Sequence, residues 1–172
     1  FQWGHTMRKH EITIAEALKS AGYTTSHFGK WHLANDMIPD ATFPSEYGFD
    51  EYGAFNCSGP QMYVHDDVKS AIPFIEKSHN AGKPFFINLW IHEPHTPFHV
   101  DPKLQKRFAN LGEKDAIYAA TLFHADLRIG QLLDALDRLN LTNNTLVIFS
   151  SDNGPARGAP DTPLTLGYDS AT

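Results

Sequence analysis

The feature that most constrains the fold is an apolar run at residues 85–91, FFINLWI, bounded by loop-forming sequence. A nearly continuous apolar run of this length is typical of a strand covered on both faces in a parallel sheet. Residues 145–150, TLVIFS, repeat the pattern, and residues 23–28 form a shorter β-type run. Stretches with helical periodicity alternate with these runs: residues 14–21, 66–80 and 114–139. This order predicts an α/β fold, a mostly parallel sheet sandwiched by helices with right-handed crossovers.

Local signals give boundaries to some of these elements. Thr13 followed by Glu16 fits a capping box at the start of the first helix, and Gly22 fits its C-terminal end. Pro73 is predicted to kink the second helix or to delay its start. Residues 34–63 are rich in Pro, Gly, Asn and Asp, which predicts a long irregular excursion of the substrate-facing kind.

Composition and charge exclude several classes of protein. The chain has 172 residues, a length that fits one domain, and its 14 basic and 20 acidic residues give a net charge of −6. This balance argues against general binding to nucleic acid, although a local cluster of cations could still bind a small anion. A single cysteine permits no disulfide within the chain, and no apolar run approaches the roughly 20 residues that span a bilayer. The first residues lack a signal-peptide pattern, and both ends have the character of cut ends, so we expect a fragment of a longer protein.

A pair of polar residues follows each predicted strand. These pairs are Lys30 with His32, His92 with His95, and Asp152 with Asn153. The carboxyl ends of parallel strands meet at one edge of a sheet, and open α/β sheets bind ligands in the crevice outside that edge. We therefore expect the three pairs to converge on one site.

The chemistry of these side chains indicates an anionic substrate. Asp152 and Asn153 offer hard oxygen ligands, which suit Ca²⁺ or Mg²⁺ rather than Zn²⁺. Lys30 offers a compact positive charge, while His32 and His95 can transfer protons near neutral pH. A cation, an ammonium group and imidazoles around one point predict a site for a sulfate ester or a phosphate ester.

Three motifs resemble the signatures of one enzyme family. Residues 22–32, GYTTSHFGKWH, resemble the G-Y-x-[ST]-x-x-x-G-K-W-H signature of the type I sulfatases, with Phe28 bulkier than is usual there. Residues 84–97 contain a P-F-F strand and a P-H-x-P loop similar to those of the family. Residues 144–155 resemble its N-T-x-V-I-F-x-S-D-N-G strand. The resemblance covers about residues 12 to 155 and implies a partial alkaline phosphatase-like sulfatase core.

The resemblance also implies a role for each candidate residue. Asp152 and Asn153 would be two of the metal ligands, for Ca²⁺ in preference to Mg²⁺. Lys30 would contact the sulfate and hold the surroundings of the nucleophile, and His32 would hydrogen-bond to the nucleophile. His95 would bind the sulfate and the ester oxygen and favour departure of the alcohol.

The nucleophile of the family is absent from this sequence. The resemblance implies a formylglycine made from the cysteine or serine of a C-x-P-x-R type motif. Cys57 does not fit, because Gly59 stands where proline is required and Gln61 where arginine is required. Residues 1–172 are therefore expected to be a partial catalytic domain that lacks the N-terminal nucleophile region and the C-terminal part. Alone, they are expected to show no turnover.

The leading functional hypothesis is hydrolysis of a sulfate ester of a sugar or aryl alcohol by the full-length parent. Two alternatives stay open: a phosphonate or phosphate ester hydrolase of the same superfamily, and a non-catalytic protein that binds sulfated glycan. The expected partner is a sulfated small molecule or glycan, without nucleic acid or a membrane span, and the oligomeric state is left open. The resemblance implies export to the periplasm, the extracellular space or the lysosome.

Other conspicuous side chains are expected to serve structure. Trp31 and Trp90 are interpreted as packing residues, and His124 as a core histidine of the long helix. His92 is expected to have a supporting or structural role.

Overall fold

The computed structural model describes residues 7–8, 10–31, 33, 42–55, 66–95 and 97–152. The chain forms two compact units, Phe1–His92 and Glu93–Thr172, each with its own internal contacts. No helix among these residues is both long enough and apolar enough to cross a membrane.

The first unit contains a parallel sheet of three strands. These are β1 (Thr24–Lys30), β2 (Glu51–Phe55) and β3 (Phe85–Trp90), in the order β2-β1-β3. Both pairings are parallel, with β1 in the centre. The predicted α/β fold is therefore confirmed, and so are the strands predicted at residues 23–28 and 85–91. Strand β2 was not predicted, since its sequence lies inside the stretch interpreted as irregular.

Helices cover both faces of this sheet. Helix α1 (Ile14–Ser20) begins with the predicted capping box, in which the Glu16 backbone N–H donates to Thr13 Oγ1 at 3.1 Å. Helix α2 (Asp67–Asn80) lies on the face that carries Phe28, whose ring meets that of Phe74 with centroids 6.1 Å apart. Pro73 lies within α2, which starts at Asp67, so the expectation that it delays the start of the helix is wrong.

The opposite face of β1 packs against an apolar cluster. A short 3₁₀ helix, Pro44–Tyr47, contributes to this cluster. The buried members of the cluster are Ala15, Trp31, Tyr47, Phe49 and Ala54. Trp31 is fully buried, and its indole N–H donates to the carbonyl of Thr42 at 3.3 Å, so the prediction that it is a packing residue is confirmed.

The second unit is mainly helical. It contains α3 (Pro102–Gln105), a 3₁₀ turn at Lys106–Phe108, the long helix α4 (Glu113–Arg138) and a 3₁₀ turn at Thr142–Asn144. The predicted 114–139 helix is confirmed, and it ends before Asn140, which has a φ of 56°.

The predicted strand at residues 145–150 is wrong. The structure assigns no strand there, and the apolar side chains are exposed, from 53% for Val147 to 85% for Leu146. A strand exists only through hydrogen bonds to a neighbour, and within the described chain the sheet comprises β1, β2 and β3 alone. The apolar pattern favours a buried strand, but no described strand pairs with it.

Candidate active site

Lys30 is the last residue of the central strand. Its backbone is registered against Phe55 of β2, and the preceding Gly29 is registered against Trp90 of β3. The carboxyl ends of all three strands therefore share one edge, and the half-buried Lys30 lies at its middle. This is the position that the sequence predicts for Lys30, at the edge where parallel sheets bind ligands.

Gly29 allows the two strands to approach closely just before Lys30. It has a φ of +111°, and a Cβ placed on it would lie 2.0 Å from the carbonyl oxygen of Trp90. No other residue type fits this space without moving β3. The glycine of the G-K-W-H motif is therefore required by backbone packing, a reason that the sequence alone does not reveal.

An aromatic cluster supports the strand that carries Lys30. The His27 ring, on β1, makes edge-on contacts with Trp31, Trp90 and Phe49 at centroid distances of 4.9, 5.2 and 5.6 Å. Asn88 Nδ2 lies 3.3 Å from His27 Nδ1. Trp90 remains 36% exposed while it contacts this cluster, so it packs on one side only.

His27 is neutral at physiological pH. Its side chain is fully buried, and this burial lowers its pKa from 6.5 to about 4, against a smaller opposing effect of the Lys30 and Gly29 backbone. No motif identified His27 beforehand. Its position at the centre of a buried strand, rather than its neighbours in the sequence, gives it this environment. Its ring contacts make it part of the packing of this aromatic cluster.

His92 belongs to the same edge as Lys30. It follows β3 by two residues, and its ring contacts that of Phe55, the register partner of Lys30, at 5.6 Å. The first unit thus has Lys30 and His92 at the same edge of the sheet, His92 in contact with the aromatic ring of Phe55. An edge with this composition can neutralise an anion and pack against an apolar or sugar-like ring.

The remaining candidates lie in the second unit or outside the described residues. His95 is exposed on the loop between β3 and α3, and Asp152 is exposed after the apolar run. His32 and Asn153 fall outside the described residues, as does Cys57. His124, interpreted as a core histidine, is half-buried on α4. The convergence of His32, His95, Asp152 and Asn153 with Lys30 therefore stays a prediction.

The metal-binding hypothesis rests on donor chemistry. Among the described residues, no group of three or more His, Cys, Asp or Glu side chains is arranged to hold a metal ion. Asp152 presents an exposed carboxylate, a hard donor of the kind that Ca²⁺ prefers, but Ca²⁺ takes about six to eight oxygen ligands. Asp152 thus fits as one ligand of such a site, and the other ligands must come from elsewhere.

Comparison with known proteins identifies the family of this chain. The family model described as Sulfatase matches residues 5–171. An "Ulvan-active sulfatase" of Formosa agariphila is 31% identical in an alignment of 188 positions that covers 88% of this chain and 37% of that protein. An N-acetylgalactosamine-6-sulfatase of Canis lupus familiaris is 26% identical, covering 91% of this chain and 36% of its own length.

Solved structures agree with the fold. Ps i-CgsB, solved in complex with k-i-k-neocarrahexaose, superposes with a TM-score of 0.79 at 25% identity, over 96% of this chain and 46% of that one. The PsFucS1 sulfatase from Pseudoalteromonas sp. gives a TM-score of 0.65 at 22% identity, over 84% of this chain and 38% of that one, which supports the fold. The chain spans a little over a third of the length of the two sulfatases compared by sequence.

Proposed function

We propose, from the premise that this chain belongs to the sulfatase family, that the protein containing these 172 residues hydrolyses a sulfate ester of a sugar or aryl alcohol. The observation that carries the proposal is the position of Lys30 at the carboxyl edge of the parallel sheet, directly after Gly29. The names of the relatives, which include an ulvan-active sulfatase and an N-acetylgalactosamine-6-sulfatase, support a sulfated sugar as substrate. We further propose that residues 1–172 form part of the catalytic domain and that the protein is exported or lysosomal.

Each candidate residue has a role in this proposal. The ammonium group of Lys30 offsets the negative charge of the sulfate, and His95 gives a proton to the departing alcohol oxygen. His32 orients the nucleophile through a hydrogen bond. Asp152 and Asn153 would hold a Ca²⁺ ion, which would supply Lewis-acid stabilisation of the sulfate charge. The attacking group is a formylglycine supplied by a part of the parent outside this sequence.

Substitution of Lys30 tests the sulfate site. In the full-length parent, Lys30→Ala is expected to lower kcat/KM for p-nitrophenyl sulfate by about 100-fold, because an uncompensated charge remains in the transition state. The measurement is steady-state release of p-nitrophenol. Lys83→Ala is the matched control, since Lys83 is an exposed lysine that precedes β3 at the opposite edge of the sheet.

The control should retain wild-type kinetics. Equal losses in Lys30→Ala and Lys83→Ala would contradict the placement of the site. Faster turnover of p-nitrophenyl phosphate than of the sulfate would favour a phosphate ester hydrolase. Tight binding of a sulfated disaccharide without turnover of any ester would favour a binding protein.

Substitution of Asp152 tests the metal site by a readout other than activity. At a free Ca²⁺ concentration 100 times Kd, the ion should stabilise the wild-type parent against thermal unfolding by about 2.7 kcal/mol. Asp152→Ala removes one carboxylate ligand, so most of this stabilisation should disappear at the same Ca²⁺ concentration. Asp134→Ala, at an exposed position of α4, is the control and should keep it. Unchanged Ca²⁺ stabilisation in Asp152→Ala would remove Asp152 from the ligand set.

A further inference from the structure

A buried ion pair links the loop that carries His95 to the long helix α4. Arg128 Nη1 lies 2.6 Å from Glu93 Oε1, and the two side chains are only 6% and 1% exposed. By contrast, the side chains of the ion pair between Lys69 and Asp66 are 74% and 36% exposed. Arg128 and Glu93 therefore form a buried ion pair within the second unit.

Stability alone does not explain such a pair. Removing two charges from water offsets most of the attraction between them, so apolar residues of similar size often stabilise an interior equally well. What a buried pair provides is a fixed geometry, because neither partner can leave without exposing an uncompensated charge to the interior. The location of the pair then determines what it fixes.

The location is the start of the His95 loop. Glu93 precedes His95 by two residues, while Arg128 lies within the 26-residue helix α4. On the other side of His95, the ring of Phe98 contacts that of Tyr118, also on α4, with centroids 6.1 Å apart. Tyr118 and Arg128 are separated by about 15 Å along the helix axis. The exposed His95 is thus bracketed by two attachments to one rigid element, which prevents the loop from pivoting about either.

We propose that Arg128 and Glu93 are positioning residues for His95, which hold its imidazole in the direction from which it reaches the ester oxygen. This inference rests on the proposed function, in which His95 protonates the leaving alcohol. A proton donor must be held within hydrogen-bond reach of that oxygen, and a displacement of about 1 Å can lower the rate by about 100-fold. The pair acts through His95 and does not touch the substrate.

The test is made in the full-length parent and compares two sulfate esters whose alcohols differ in acidity. Phenol is a poor leaving group that needs a proton from His95, whereas p-nitrophenolate departs without one. Arg128→Met is expected to lower kcat for phenyl sulfate by about 10- to 50-fold and kcat for p-nitrophenyl sulfate by less than about threefold. KM should change little for either ester. His95→Ala should show the same selectivity with a larger loss, and the double variant should lose no more than His95→Ala alone.

Conservative variants and a surface control separate positioning from folding. Glu93→Gln keeps the acceptor oxygen and Arg128→Lys keeps the charge, so each should recover part of the loss. Lys69→Met removes the exposed pair with Asp66 and should leave both substrates unaffected. If Arg128→Met does not fold, Arg128→Lys and Glu93→Gln replace it. In each, kcat for phenyl sulfate should then fall more than kcat for p-nitrophenyl sulfate. Parallel losses on both esters, or additive losses in the double variant, would overturn the proposal.

A second measurement does not depend on activity. The backbone amides available in this loop include those of His95, Phe98 and His99, since Pro94 and Pro97 carry none. Amide hydrogen exchange should rise at His95, Phe98 and His99 in Arg128→Met and stay unchanged in β1 and in the first half of α4. A wild-type parent that hydrolyses no sulfate ester would refute the proposed function, while the exchange data would still decide whether the pair fixes the loop. Unchanged exchange at these three amides would overturn the positioning role even in an active sulfatase.

Discussion

Gly29→Ala is expected to destabilise the chain by about 4 kcal/mol or more, enough to prevent the first unit from folding. The added Cβ would lie 2.0 Å from the carbonyl oxygen of Trp90 and 2.7 Å from its carbonyl carbon, distances at which backbone must move. The clash is with backbone, so no side-chain rotation relieves it. Separating β1 from β3 would break the ladder between them, and the φ of +111° adds strain of its own.

The measurement is the free energy of unfolding from urea titration, followed by tryptophan fluorescence. Gly22→Ala is the matched control, because Gly22 also has a positive φ, +89°, but nothing lies within 4 Å of an added Cβ. It isolates the backbone strain, which should amount to about 1 kcal/mol. If the free energy of unfolding falls by the same amount in both variants, the close approach of β3 is not the reason for glycine at position 29. If Gly29→Ala yields no soluble protein while Gly22→Ala unfolds cooperatively, the expected difference is also met.

The elements that could be predicted from the sequence are those with strong local signals. The Thr13 capping box defines the start of α1, and helical periodicity over many turns defines α4. Strand β3 was predicted from a run of apolar residues, and in the sheet it pairs with β1 on one side. In each case the information lies within a single segment of the chain.

The errors concern elements that exist only through a partner. Strand β2, Glu51–Phe55, is short and contains Gly53, and only its pairing with β1 makes it a strand. Residues 145–150 have a stronger apolar pattern than β2 but pair with no described strand. Strand formation is a property of two segments together, which a pattern in one of them cannot determine.

The same distinction applies to the candidate site: features set by one segment were predicted, and features set by contacts between segments were not. The position of Lys30 at the carboxyl end of β1 was predicted, because the end of a buried parallel strand fixes where its last residue lies. Its role in the site stays a prediction. The reason for Gly29 and the environment of His27 were not predicted, because both depend on contacts with Trp90 across the sheet. The link between Glu93 and Arg128 joins residues 35 positions apart, and the sequence offers no local signal for it.

The stability of the first unit should fall by about 2 kcal/mol between pH 6.5 and pH 4.5 because of His27. Burial lowers the pKa of His27 to about 4 in the folded chain, while in the unfolded chain it returns to about 6.5. Between these values the unfolded state binds a proton that the folded state does not. The contribution of neutral His27 is therefore complete above pH 6.5 and is lost as the pH falls, by up to about 1.4 kcal/mol per pH unit.

Urea unfolding at half-unit intervals from pH 7.5 to pH 4.5 measures this slope. His27→Phe keeps a ring among Trp31, Trp90 and Phe49 without the titrating group, so it should flatten the profile. His10→Gln removes an exposed histidine and should leave the wild-type slope intact.

Asp50 contributes little to the change in stability between pH 7.5 and pH 4.5. Although partial burial alone would raise its pKa, hydrogen bonds from Lys19 and Thr25 and the charge of Lys19 lower it overall, so it titrates below the range measured. A folded-state pKa below the ordinary value means that the stability Asp50 provides is present above the ordinary carboxyl pKa and is lost progressively as the pH falls from there through the lower folded-state pKa. Equal slopes in wild type and His27→Phe would show that another group causes the acid sensitivity. A slope that vanishes in His27→Phe but survives in His10→Gln would assign the acid sensitivity to His27 in its aromatic cluster.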